Sequence, residues 1–250
     1  MAQVVVDELV ANGITEVVLS PGSRSAALAL ALAEADARGD LRLHVRVDER
    51  SAGFLALGLA KVGRDPVAVV VTSGTAVANL APAMVEASFA DVPVIAITAD
   101  RPADLRDTGA NQTIDQTRFF GGTVRWSHEV AVAEPRVGQV RYWRSVVARA
   151  VAVATEAAAA GPVHLNVAFR EPLVPDGDES WVEPLGLAPV GSEPGERVPV
   201  AADARLGMAA AQPLDEILAL LADPDADPEH LVPTRGVVVV GDVADVETSD

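Results

Sequence analysis

Leu43-His44-Val45-Arg46-Val47-Asp48-Glu49-Arg50-Ser51-Ala52-Gly53-Phe54-Leu55-Ala56-Leu57-Gly58 changes character once, at Asp48. Before it, Leu43 to Val47 is apolar and β-branched and reads as a strand. After it, small residues at 52, 53, 56, 58 and 60 give a helix that another backbone can approach closely. A strand that runs straight into a helix, with a carboxylate at the junction, is the repeating unit of an α/β sheet. Glu49 has two readings there. An acid in the first helical turn offsets the positive end of the helix dipole; an acid at a strand end is also placed to do chemistry.

The same alternation extends through the first 175 residues. Strands are expected at Glu16 to Leu19, Val67 to Val71, Val94 to Thr98, near Val124 to Val130, and at Val163 to Val167. Helices are expected at Val4 to Asn12, stopped by Gly13, at Ser25 to Arg38, Arg50 to Val62, Thr75 to Phe89, near Thr113 to Phe119, and at Gln139 to Ala158. The strands are short continuous apolar runs, the mark of a parallel sheet buried on both faces. The expected fold is therefore a doubly wound α/β domain, with helices on both faces, over residues 1–175. Ligands of such sheets bind beyond the carboxyl ends of the strands. The polar clusters Pro21-Gly22-Ser23-Arg24, Asp48-Glu49, Thr72-Ser73-Gly74-Thr75 and Asp100-Arg101-Pro102 all fall there, which implies one site.

The net charge of −17 is uneven: residues 176–250 hold 3 basic and 17 acidic residues. No basic stripe is present to displace phosphate counterions, which disfavours a nucleic-acid partner. There is no cysteine, no apolar run near the roughly 20 residues of a spanning helix, and no leader-like start, so the expectation is a cytoplasmic protein without a membrane segment. The four histidines, at 44, 128, 164 and 230, lack metal-ligand spacing. Residues 176–200, rich in Pro, Gly and acid, read as a linker. In 201–250, a short helix at Pro213 to Ala222 and the run Arg235 to Asp242 read as the incomplete start of a second, Rossmann-like domain.

Taken together, Pro21-Gly22-Ser23-Arg24-Ser25, Asp48-Glu49-Arg50-Ser51-Ala52-Gly53, Thr72-Ser73-Gly74-Thr75-Ala76-Val77-Ala78-Asn79, Thr98-Ala99-Asp100-Arg101-Pro102 and Thr108-Gly109-Ala110-Asn111-Gln112 resemble one family. It is the thiamine-diphosphate-dependent 2-succinyl-5-enolpyruvyl-6-hydroxy-3-cyclohexene-1-carboxylate synthases of menaquinone biosynthesis. The resemblance implies that residues 1–175 are the pyrimidine-binding domain and that Glu49 meets N1′ of the cofactor's aminopyrimidine. An apolar setting, to which Phe54 and Leu55 would contribute, would raise the Glu49 pKa and ease proton sharing with that nitrogen. It also implies a reaction that decarboxylates 2-oxoglutarate and adds the succinyl unit to isochorismate. Arg24 and Arg101 match the positions that hold isochorismate, and a guanidinium fork suits carboxylates. Ser23 and Asn111 would add neutral hydrogen bonds, and Gln112 would orient substrate or a water. Ser73 and Thr75 read as N-caps of the next helix, with cofactor contact as a second role. Arg24 at a helix start, where a cation is disfavoured, is better explained by a bound anion.

The chain departs from the family in one large respect. The Gly-Asp-Gly and Asn-Asn motifs that bind magnesium and the diphosphate are missing from the 250 residues. The resemblance places that half of the site on the diphosphate-binding domain of a partner subunit, in a homodimer or tetramer. Three readings follow: the N-terminal part of the synthase, a non-catalytic or regulatory module holding isochorismate or a pathway product, or an acetolactate-type lyase. The Ser-Arg and Asp-Arg-Pro motifs speak against the last.

Overall fold

The structure is a computed structural model that describes residues 1–174; the expected linker and second domain lie outside the described residues. In chain order the elements are α1 (Ala2–Ala11), β1 (Glu16–Leu19), α2 (Ala26–Arg38), β2 (Arg42–Val45), α3 (Glu49–Gly63), β3 (Val67–Val71), α4 (Thr75–Phe89), β4 (Val94–Asp100), β5 (Trp126–Val130), α5 (Gln139–Ala154) and β6 (Val163–Ala168). One six-stranded sheet runs in the order β2-β1-β3-β4-β6-β5, and every described pairing in it is parallel. The winding reverses between β1 and β3, so their carboxyl ends border the crevice where such sheets take ligands.

Alternation along each strand divides the core in two. Val17, Leu19, Ala68, Val70, Ile95, Ile97 and Leu165 pack with α1, α2 and α5 on one face. Val18, Val67, Val69, Val71, Val94 and Ala96 pack with α3 and α4 on the other. Successive side chains of a strand point to opposite faces, and both faces here are covered, which is why the strands read as unbroken apolar runs. The doubly wound expectation holds.

Several boundaries differ from those expected. β2 stops at Val45, because β1 offers no residue beyond Leu19 to pair with; Val47 is 88% exposed. β5 begins at Trp126, opposite Val163, because Pro162 precedes Val163 and brings no N–H to a ladder. α5 ends at Ala154, where the Thr155 hydroxyl turns back to donate to the Val151 carbonyl at 2.8 Å. The short helix near Thr113 to Phe119 does not form: these residues are loop and turns, bracketed by positive φ at Gln112 (56°) and Arg118 (51°). No helix among the described residues is long and apolar enough to cross a membrane.

Candidate active site

Glu49 is the first residue of α3. Asp48 is its N-cap: the Asp48 carboxylate accepts from Ser51 N at 2.7 Å, and that bond lowers the Asp48 pKa. The Glu49 carboxylate is half-buried and accepts from Asn79 Nδ2 of α4 at 3.0 Å through Oε2. Its Oε1 has no partner among the described residues. Gly53 makes this pairing possible, since a Cβ there would lie 3.0 Å from the Ala83 Cβ and 3.2 Å from Leu80 Cδ2. The two helices approach closely at Gly53, and Asn79 is thereby brought to Glu49. The described residues do not supply the expected apolar setting. Phe54, well round the helix from Glu49, is 43% exposed, and Leu55 packs into the core beneath α3 and α4. A pocket that desolvates Glu49 has to come from outside the described residues.

A second group forms around Arg101, immediately after β4. Arg101 Nη1 donates to Ser73 Oγ at 2.9 Å and to the Gln112 carbonyl at 2.7 Å. Ser73 Oγ donates to that same carbonyl at 3.2 Å, and Gln112 Nε2 donates to the Ser73 carbonyl at 3.0 Å. Ser73, Arg101 and Gln112 thus make one unit. The capping expectation fails here: Gly74, with φ 80°, is the N-cap of α4, Thr75 is exposed, and Ser73 is committed to the Arg101 cluster. Gly74 is required on two counts, its left-handed backbone and its space, for a Cβ would sit 2.9 Å from Gln112 Cγ.

Arg24 lies in the short 3₁₀ turn Ser23–Ser25 that leads into α2, and it is 8% exposed. Its Nη1 donates to the Phe169 carbonyl at 3.0 Å, and Nη2 stands 3.5 Å from Glu171 Oε1. The anion called for beside this cation is therefore partly provided within the chain. Burial first, and then the Arg24 charge, lower the Arg101 pKa, while Asp100 and Glu171 oppose the shift. Two guanidinium groups close enough to repel each other, at one sheet edge, favour an anion between them. Ser23 and Asn111 are exposed, and neither side chain touches these groups.

Residues 1–119 match the family model "Thiamine pyrophosphate enzyme, N-terminal TPP binding domain". Residues 1–119 are thus similar to the N-terminal domain of thiamine pyrophosphate enzymes. The chain is 60% identical over 184 residues to the 2-succinyl-5-enolpyruvyl-6-hydroxy-3-cyclohexene-1-carboxylate synthase of Saccharopolyspora erythraea, covering 74% of this chain and 33% of that protein. It is 58% identical over 184 residues to the synthase of the same name from Thermobifida fusca (73% and 32% covered). With that of Mycobacterium tuberculosis it shares 52% identity over 202 residues (78% and 36% covered). The chain spans about a third of the length of these curated relatives.

The domain fits thiamine diphosphate, the cofactor of that family, at Glu49. A carboxylate oriented by Asn79, with one oxygen uncommitted at the carboxyl edge of the sheet, can bond a ring nitrogen. Its described residues contain no group of three side chains able to hold a metal. The domain also has a polar interior absent from the sequence reading. Asn166 of β6 is 1% exposed and fully bonded: Oδ1 accepts from Thr98 Oγ1 and Gln116 Nε2, and Nδ2 donates to Asp100 Oδ2 and Glu129 Oε2, each at 2.8 Å. Arg106 Nη2 bridges Asp100 at 2.8 Å and Glu129 at 3.3 Å. Asp100 Oδ1 accepts from Arg101 N at 2.7 Å. A signal existed in the sequence: His164 and Asn166 break the apolar run of β6 at a spacing of two, so they share one face, the face that β4 meets with Thr98.

Proposed function

We propose that this chain is the pyrimidine-binding portion of a synthase that decarboxylates 2-oxoglutarate and adds the succinyl unit to isochorismate, a step of menaquinone biosynthesis in the cytoplasm. The observation that supports the substrate assignment is that Arg24, after β1, and Arg101, after β4, lie at one sheet edge, each on a stretch that resembles the synthases' motifs. Isochorismate carries two carboxylates, and an anion placed between the two guanidinium groups relieves their repulsion. Glu171, close to Arg24 and 75% exposed, is the group such a substrate would displace.

Bound thiamine diphosphate supplies the carbon nucleophile of the reaction. Glu49 would hold or share a proton at N1′ of the aminopyrimidine, with Asn79 fixing its carboxylate. Ser73 and Thr75 flank the α4 N-terminus, and Ser73 would act there through Arg101 and Gln112. Gln112 Nε2 is turned to the Ser73 carbonyl, so its Oε1 is the atom left to orient a substrate hydroxyl or water. Ser23 and Asn111, both exposed, would add hydrogen bonds at the rim. Magnesium and the diphosphate would be held by the diphosphate-binding domain of a partner subunit in a homo-oligomer. The same partner would desolvate Glu49.

The test is calorimetric titration of the chain with thiamine diphosphate and magnesium, alone and with a separately expressed C-terminal portion of a related synthase. Binding and product formation only in the mixture support the proposal. Failure of the mixture to bind sinks it and leaves a non-catalytic module. In the active mixture, Arg101→Ala should weaken isochorismate saturation more than that of 2-oxoglutarate; equal effects would remove the assignment of Arg101.

A further inference from the structure

The Arg101 cluster is assembled from three separate stretches of chain: the turn after β3, the end of β4, and the loop that follows it. Hydrogen bonds among Ser73, Arg101 and Gln112 join these stretches at the surface. Beneath them lies a side chain with no exposed area, Gln116. Its Oε1 accepts from Gly74 N at 2.9 Å. Its Nε2 donates to the Ala99 carbonyl at 3.2 Å and to Asn166 Oδ1 at 2.8 Å. Gly74 adjoins Ser73, Ala99 lies two residues before Arg101, and Gln116 itself lies four residues after Gln112.

We propose that Gln116 is a positioning residue, whose carboxamide locks together the three segments that carry Ser73, Arg101 and Gln112. This deepens the reading of Arg101 as the anion-binding group and rests on it for its functional meaning. A carboxamide is the right chemistry, because it offers one acceptor and two donors in a plane, and all three are used. The Gly74 N–H is that of the N-cap of α4, at the helix end whose amides lack helical partners, so Gln116 supplies its acceptor from a distant loop. Positive φ at Gln112 and Arg118 accompanies these bonds. A helix through residues 113–119 would carry the Gln116 side chain away from Gly74, Ala99 and Asn166, leaving the Gly74 N–H without its partner and Asn166 Oδ1 with Thr98 alone. The other two segments are fixed in turn, since Asn166 also holds Asp100, and Asp100 holds the Arg101 amide.

The experiment reads the environment of each arginine directly. The 250-residue chain and its Gln116→Ala and Gln116→Glu variants are treated with phenylglyoxal, and modification at each arginine is followed by peptide mass spectrometry. In Gln116→Ala, Arg101 should react about fivefold faster, the factor that one lost hydrogen bond represents. Arg24 and Arg125, each held by partners outside the cluster, should keep their rates. An unchanged Arg101 rate overturns the proposal, as does a parallel rise at all three arginines, which would mean general loosening.

Gln116→Glu decides the matter if the alanine variant does not fold. An ionised carboxylate can still accept from Gly74 but repels the Ala99 carbonyl and Asn166 Oδ1, while the protonated form restores one donor. The ratio of Arg101 to Arg125 modification should therefore rise with pH in this variant and stay level in the parent; a level ratio in both overturns the proposal. Arg101→Ala in the assembled synthase separates this inference from the function it rests on. Unchanged isochorismate saturation there would remove the substrate assignment, whereas unchanged Arg101 reactivity in the Gln116 variants would remove the positioning role and leave the assignment intact.

Discussion

Two buried or half-buried side chains illustrate how single residues divide the work. Glu49→Gln keeps the size, the N-terminal helical position and an acceptor for Asn79, and removes only the capacity to share a proton. Turnover of the assembled enzyme should fall by orders of magnitude with an unchanged melting temperature; near-normal turnover would contradict the cofactor assignment. His164 has a structural role. The single Thr98 hydroxyl proton goes to Asn166, so His164 Nε2 must carry the hydrogen it shares with Thr98, and Nδ1 is left bare and buried. Burial lowers the His164 pKa from 6.5 to about 4. The unfolded chain therefore binds a proton that the folded one refuses between these values, and stability falls as pH drops from 6.5 towards 4. The full window is worth about 3 kcal/mol. Denaturant midpoints from pH 7 to 5 should show the decline, and His164→Gln should flatten it.

Among the elements, the pair α3 and α4 sets the geometry around Glu49. Gly53 faces Ala83 and Leu80 so closely that even a Cβ would sit 3.0 Å and 3.2 Å from them and a larger side chain would have to push them aside. Gly53→Val should force the helices apart, lower stability by about 1–3 kcal/mol and loosen the bond from Asn79 to Glu49. Denaturant titration measures the first effect, and a larger loss of turnover than Ala83→Gly produces would reveal the second. These helices and the strands between them were legible in the sequence, because small-residue spacing and apolar runs are local signals. The loop from residue 101 to 123 was not. Its conformation depends on Gln116 reaching Gly74, 42 residues away, and Asn166, 50 residues away, and no local pattern encodes such bonds. The same limit explains Arg24. Its place at a helix start called for a bound anion, but Glu171 and the Phe169 carbonyl, which already meet its guanidinium, arrive from the far end of the domain. Thr75, read as a cap, loses that role because Gly74 alone can take the left-handed turn.

Over the whole domain, the first helix is fastened to the last. Glu8 of α1, 1% exposed, accepts from Arg144 Nε of α5 at 2.7 Å and from Asn12 Nδ2 at 3.0 Å. Removing one partner of a buried pair leaves a charge without compensation, which costs about 3–5 kcal/mol. Arg144→Met should therefore destabilise the domain by that amount in denaturant titration, and adding Glu8→Met should recover much of it. Full stability in Arg144→Met alone would show that solvent reaches Glu8.

Among the described residues the sheet ends on β2, which pairs on one side only and carries Val45 at 50% exposure, with Val47 just beyond it. An open edge of this kind is a template on which a second chain can add its own strand. Arg42 and Arg46 bracket it, and their charges keep two such edges from meeting. Neutralising both arginines should therefore hasten aggregation of the protein in concentrated solution, as light scattering would read.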